Sequence, residues 1–169
     1  MELSKRKLQR LSGYNYAEEG YYFVTICTKS RQKLFWYNGT VKSVPYDEII
    51  DIVPYSDIGF IARDEMTNIQ QHFKNVKIEK YVIMPNHIHC IVVIGCDETE
   101  RSRPFPTLSS IVGLYKSGVS KKVHKAYPGI FIWQTSFYDH IIRKKDDYLK
   151  IWQYIDQNPY KWEDDCFYM

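Results

Sequence analysis

Apolar and polar positions follow two different periods along this chain, and the places where the period changes mark its elements. Tyr21-Tyr-Phe-Val-Thr-Ile-Cys-Thr28 follows Gly20 and is β-branched or aromatic at almost every position. Such a run predicts a strand, and a central one, because both faces are apolar. Ile58, Ile61, Ala62, Met66, Ile69 and Phe73 then recur at spacings of three and four. With Ser56 or Asp57 as cap, they predict a helix to about Lys74. Ile78–Met84 and His87–Ile94 are two more strands. Pro85-Asn86 between them is a tight turn, so the pair is an antiparallel hairpin. Thr107 caps a second helix to about Lys125, with Leu108, Ile111, Val112, Tyr115, Val119 and Val123 as its buried stripe. Pro128-Gly129 breaks the chain, and Phe131–Trp133 and Phe137–Arg143 read as short extended segments. A last helix opens at Lys145 or Asp146, turns Tyr148, Ile151, Trp152 and Ile155 inward, and ends before Pro159.

The order strand, helix, strand, strand, helix, strand, helix predicts an α+β domain. An antiparallel sheet with helices on one face accommodates it, as a ferredoxin-like or RRM-like split βαβ core followed by a C-terminal helix. Residues 34–56 contain Asn38-Gly39, Pro45 and Pro54 and predict a short hairpin or irregular excursion. Residues 95–106 form a polar loop with Arg101 and Arg103. The expected organisation is a basic arm over 1–12, one domain over 13–163 and a tail over 164–169. From residue 160 onward the chain carries Trp162 and an acidic trio, and is expected to pack loosely or cover an edge.

Composition adds limits. The 169 residues are 44% apolar, enough for one packed domain and too much for wholesale disorder. No apolar run approaches the roughly 20 residues that cross a bilayer. The first ten residues have no apolar core and no cleavage pattern, so they do not read as a signal peptide. The four cysteines are scattered with no C-x-x-C pair, which suits a reduced, cytoplasmic protein. Net charge is only +3, so distribution matters more than the sum. Lys5, Arg6, Lys7 and Arg10 make the arm basic, and Arg31 lies in the turn after the first strand. Lys116, Lys121 and Lys122 lie beside the apolar stripe of the second helix, where they can follow a phosphate backbone. Fifteen tyrosines and four tryptophans exceed what a core of this size needs, and exposed rings can stack on unpaired bases.

Two places carry candidate chemistry. His87 and His89 are separated by one residue inside a strand, so both imidazoles leave the same face about 7 Å apart along the chain. That spacing lets two ring nitrogens close on one divalent cation. Their place just past the hairpin turn predicts an accessible site near a sheet end. Tyr154 and Asn158 are four apart on one side of the last helix. The helix can thus bring a nucleophile, Tyr154, and a third ligand, the Asn158 amide oxygen, to the histidine pair. Two imidazoles and an amide oxygen leave positions open for water and a phosphate oxygen. Mg²⁺ or Mn²⁺ would suit phosphate chemistry there, and Zn²⁺ is compatible. A structural zinc site does not fit, since the cysteines do not cluster. A phenol has a pKa near 10 and needs help to lose its proton before it attacks.

Tyr81-Val-Ile-Met-Pro-Asn-His-Ile-His89 resembles the His-hydrophobic-His motif of the single-tyrosine HUH transposases. Gly20–Thr28, Trp133-Gln-Thr-Ser-Phe-Tyr-Asp-His-Ile-Ile-Arg143 and Tyr154-Ile-Asp-Gln-Asn-Pro-Tyr-Lys-Trp162 resemble one branch, the REP-associated tyrosine transposases. The matches run in the family's order from about residue 13 to 163. The resemblance implies a metal-dependent enzyme that cleaves and rejoins single-stranded DNA with hairpins of repetitive palindromic type, through a 5′-phosphotyrosine. It implies Tyr154 as nucleophile and His87 and His89 as metal ligands. Asn158 stands where related insertion-sequence transposases carry a glutamine ligand. Tyr138 is a rival nucleophile, although an extended segment with His140 and Arg143 suits DNA contact better. The active form is a monomer or a homodimer. Two other readings make different predictions. A non-catalytic nucleic-acid-binding module needs no metal. A metal-dependent phosphodiester hydrolase leaves free 5′-phosphates and no covalent adduct.

Overall fold

The structure is a computed structural model that describes residues 14–37, 55–95 and 105–168. β1 (Gly20–Cys27), α1 (Asp57–His72), β2 (Val76–Ile83), β3 (His87–Ile94), α2 (Leu108–Ala126), β4 (Tyr138–Ile142) and α3 (Lys145–Gln157) follow one another along the chain. The sheet order is β2-β3-β1-β4, and every pairing is antiparallel. This is the split βαβ arrangement that the order of periods predicts.

Both main helices begin where a side chain caps them. Ser56 Oγ accepts from Gly59 N at 3.1 Å, and Thr107 Oγ1 accepts from Ser110 N at 3.1 Å. Gly59 is required by packing: a Cβ there would run into the Phe35 carbonyl oxygen. Trp36 and Tyr55 form an isolated antiparallel bridge, the base of the predicted excursion. Asn38, Gly39, Pro45 and Pro54 within that excursion, the arm over 1–12, and Arg101 and Arg103 of the polar loop lie outside the described residues. Phe131–Trp133 is less than a strand, since it contributes only the Thr28–Trp133 bridge.

The two faces of the sheet differ. Because side chains alternate, Tyr22, Val24 and Ile26 of β1 share a face with Ile88, Cys90 and Val92 of β3. All six are buried, in one cluster with Ala62, Met66 and Ile69 of α1 and Ile111, Tyr115 and Val119 of α2. Tyr115 Oη donates to Ala62 O at 2.9 Å and ties the two helices together. The opposite face carries Tyr21, Phe23, Thr25, His87 and His89. α3 lies over it, with Tyr148 against Tyr21 at 5.7 Å and Tyr154 against Phe23 at 6.1 Å between ring centroids. A tight helical turn, Asn158–Asp164, then leads the chain back across that face.

Candidate active site

The His87 and His89 rings lie 4.5 Å apart between centroids. Each is anchored through Nδ1. His87 Nδ1 is 2.8 Å from Asn86 Oδ1, and an amide oxygen only accepts, so the ring proton sits on Nδ1. His89 Nδ1 is 2.8 Å from Oγ1 of Thr25, its register partner on β1. Tyr154 Oη lies 3.2 Å from His89 Nε2 and donates to Asp165 Oδ2 at 3.4 Å. Both Nε2 atoms face the space beside Tyr154 and Asp165. Burial holds both imidazoles neutral. It lowers the His89 pKa to about 3, and it lowers His87 well below the ordinary range with help from His89 and Arg31.

Tyr154 stands on α3 at 40% exposure. Partial burial, followed by the nearby Asp165 carboxylate, pushes its phenol up to about 12, while a hydrogen bond from Asn158 acts in the opposite sense. Asn158 directly follows α3 and is buried. Among the described residues its Oδ1 has no hydrogen-bond partner, and neither does His87 Nε2. An orphaned buried acceptor is costly unless something electropositive satisfies it.

Two features depart from expectation. The histidines are not accessible: His87 is 0% and His89 1% exposed. The physical reason is the C-terminal segment, which neither packs loosely nor covers an edge. It crosses the histidine face. The Phe167 ring centroid is 4.6 Å from that of His87 and 5.8 Å from that of His89. Asn86 Nδ2 donates to Phe167 O at 2.9 Å, and Arg31 lies 4.1 Å over the Phe167 ring. The second feature is Asp165. Its Oδ1 accepts from Phe167 N at 2.6 Å, which turns Oδ2 toward the site, 3.4 Å from Tyr154 Oη and 3.9 Å from His87 Nε2. The ligand atoms of His87, His89 and Asp165 all lie within 4.8 Å of one another. These three groups are a mixed nitrogen and oxygen donor set that fits a divalent cation.

Sequence reasoning passed over Asp165, Thr25 and Asn86. Asp165 sits in irregular tail structure, where no periodicity specifies direction. Thr25 could have been found by pairing β1 with β3, since that register sets it opposite His89. Asn86 read only as a turn residue. Its side chain also touches Arg31 O at 3.3 Å, so it joins one imidazole, the turn after β1 and the tail. That turn holds Ser30 and Arg31 at φ 53° and 57°, conformations that disfavour both side chains. Thr28 Oγ1 fastens it to Gln32 O at 2.8 Å and Asn86 O at 3.0 Å.

The DNA-contact candidates are scattered. Arg6 and Arg10 lie outside the described residues. Arg31 borders the histidines through Phe167. Lys116 is turned into the protein, donating to Gln134 O at 2.8 Å and Ser136 O at 3.0 Å, and burial lowers its pKa to about 8. Lys121 is exposed, and Lys122 pairs with Glu65 at 2.5 Å; both are on α2, across the sheet from the histidines. His140 pairs with Asp147 at 2.7 Å. Tyr138 on β4 meets Phe167 at 6.5 Å between rings and makes no hydrogen bond to either imidazole among the described residues. Arg143 lines a separate cleft.

Sheet order and helix placement define a known class of fold. A solved REP-associated tyrosine transposase bound to a REP hairpin superposes on 89% of this chain and 74% of its own, with TM-score 0.52 and 21% identity. The fold is that of this transposase. A candidate transposase of Deinococcus radiodurans R1 matches more weakly, with TM-score 0.45 and 19% identity over 88% of this chain and 95% of its own. Protein-family models give no match. An uncharacterized protein of Haemophilus influenzae is 34% identical over 178 aligned positions, 97% of this chain and 93% of that one. The chain belongs to the same family as that Haemophilus protein.

Proposed function

We propose that the protein is a metal-dependent transposase that cleaves and rejoins single-stranded hairpin DNA through a phosphotyrosine on Tyr154. One observation carries this reading: the Tyr154 hydroxyl touches His89 Nε2 at 3.2 Å, beside a group of two neutral imidazoles and a carboxylate. A tyrosine placed only for packing has no reason to meet such a set. His87, His89, Asp165 and Asn158 are the residues that would hold Mg²⁺ or Mn²⁺. The cation would supply Lewis-acid polarisation of a phosphate oxygen and ease the phenol's ionisation.

In the step itself, Tyr154 Oη attacks phosphorus and forms a new O–P bond. The bond from phosphorus to the 3′-oxygen breaks, and that oxygen leaves as a free 3′-hydroxyl after taking up a proton. The phenol proton departs to Asp165 Oδ2, the acceptor at 3.4 Å. A second 3′-hydroxyl can reverse the step and join a new strand without ATP, because the phosphodiester energy is kept in the tyrosyl link. Phe167 must leave the imidazoles before a phosphodiester can reach them.

The test incubates the protein with a labelled single-stranded hairpin oligonucleotide and Mn²⁺ or Mg²⁺. A denaturing gel should show a covalent adduct in the native protein and in Tyr138→Phe, and none in Tyr154→Phe. An adduct in Tyr154→Phe that is absent from Tyr138→Phe would reverse the assignment. The His-His-Asp group favours a second reading, since such a set also activates water. In that case the products carry free 5′-phosphates and no adduct forms.

A further inference from the structure

Near the start of α3, about 9 Å along its axis from Tyr154 by helical rise, lies a cleft of about 400 Å³ lined by Tyr21, Ile142, Arg143, Lys144, Lys145 and Tyr148. Its aromatic wall is built. Tyr21 and Tyr148 meet edge to face at 5.7 Å and 84°, and Ile142 is the register partner of Tyr21. Tyr21 is nonetheless 44% exposed, so much of its ring remains open. The rest of the lining is three consecutive cations. Among the described residues none of them has a carboxylate partner, while nearby acids are engaged elsewhere: Asp147 with His140, Glu79 with Lys77 and Asp156 with Lys80. Asp146 follows them as an exposed acid with no ion pair among the described residues. Three cations in succession at the start of a helix also oppose its dipole, which favours acids there.

Open ring faces beside unpaired cations are what an unpaired nucleotide needs: a surface for the base and charge for the phosphates. A duplex keeps its base faces stacked and offers only the second. Tyr21 is on the same sheet face as Phe23 and Thr25, and four residues of β1 set it about 13 Å from Thr25 beneath His89. A strand a few nucleotides long spans that distance.

We propose that this cleft binds single-stranded DNA flanking the phosphate presented to Tyr154, with a base against Tyr21 and Tyr148 and the backbone along Arg143, Lys144 and Lys145. The choice of DNA as the polyanion rests on reading Tyr154 as a DNA nucleophile. The test is fluorescence anisotropy in chelator, so that binding is read without cleavage. The probes are a labelled twelve-nucleotide oligothymidylate and a duplex of the same length. K144A/K145A should lower the slope of log affinity against log salt by about 1.4 for the single strand, as two lost phosphate contacts require. Tyr21→Ala should weaken the single strand about tenfold, as one lost stacking contact requires. Tyr21→Ala should leave duplex binding unchanged. All the altered side chains are exposed at the cleft, and an unchanged thermal midpoint confirms the fold. Native affinity in both variants, or an equal loss on the duplex in Tyr21→Ala, would overturn the proposal. Absence of a covalent adduct in the native protein is a separate result, which bears on Tyr154 and leaves the binding measurement intact.

Discussion

The two faces of one sheet have been put to different use. On the α1/α2 face, Val24, Ile26, Ile88 and Val92 meet two helices in a dry apolar core, and the few polar atoms are paired, as Tyr115 is with Ala62 O. On the α3 face the same strands present Thr25, His87 and His89, and the cover is thin. Within α3 only Ile155 is buried, and the remainder of the lid is a short turn and a tail. Buried polar groups with open valences lower stability unless a ligand satisfies them. The contrast therefore separates the face that holds the fold together from the face that carries the candidate site, with β1 and β3 shared by both.

That division can be broken most forcefully at the histidines. His87→Ala or His89→Ala should reduce adduct formation by about a thousandfold or more, as loss of a ligand to an essential cation does, while the metal-free protein keeps its thermal midpoint. A midpoint that falls as far as a core deletion would make the histidines structural. Ile88→Ala sits between them in sequence and faces the other way. It should lose about 2–5 kcal/mol in urea unfolding, as a large-to-small change in a closed core does. It should still form adduct below the unfolding midpoint. Thr25→Val removes the hydroxyl that orients His89 and should weaken metal binding about 10- to 100-fold by calorimetry, as loss of such an outer partner does.

Acid sharpens the contrast by a smaller amount. The folded pKa of His89 is about 3, below the roughly 6.5 of an unfolded histidine, so the unfolded chain takes up the proton first. Stability in chelator is therefore highest above pH 6.5 and falls as pH drops toward the folded value. The loss from this residue is about 1.4 kcal/mol per pH unit. His89→Ala should flatten the dependence of the unfolding midpoint between pH 6.5 and 4.5; an unchanged slope would mean the imidazole is not buried neutral.

How much of this was legible in the sequence follows the same line between faces. The α1/α2 face was readable because burial there imposes period: Ile58 to Ile69 and Leu108 to Val123 announce their helices, and Ser56 and Thr107 cap them as expected. The strand carrying His87 and His89, and the helix carrying Tyr154, were equally plain. The state of the histidines was not, because their burial comes from Phe167, a residue almost eighty positions away in a segment without regular structure. Asp165 was hidden for the same reason. Lys116 shows the converse. Its position beside an apolar stripe suggested a phosphate contact, but the 134–136 segment supplies two carbonyls that draw it inward.

The proposed function requires that one phenol oxygen, that of Tyr154, become covalently bound to DNA. Peptide mapping of the protein after reaction with a single-stranded hairpin oligonucleotide and nuclease trimming tests it most directly. The account predicts a nucleotide remnant on the peptide containing Tyr154 and on no other. A remnant on the peptide containing Tyr138, or cleaved DNA with no modified peptide at all, would contradict it.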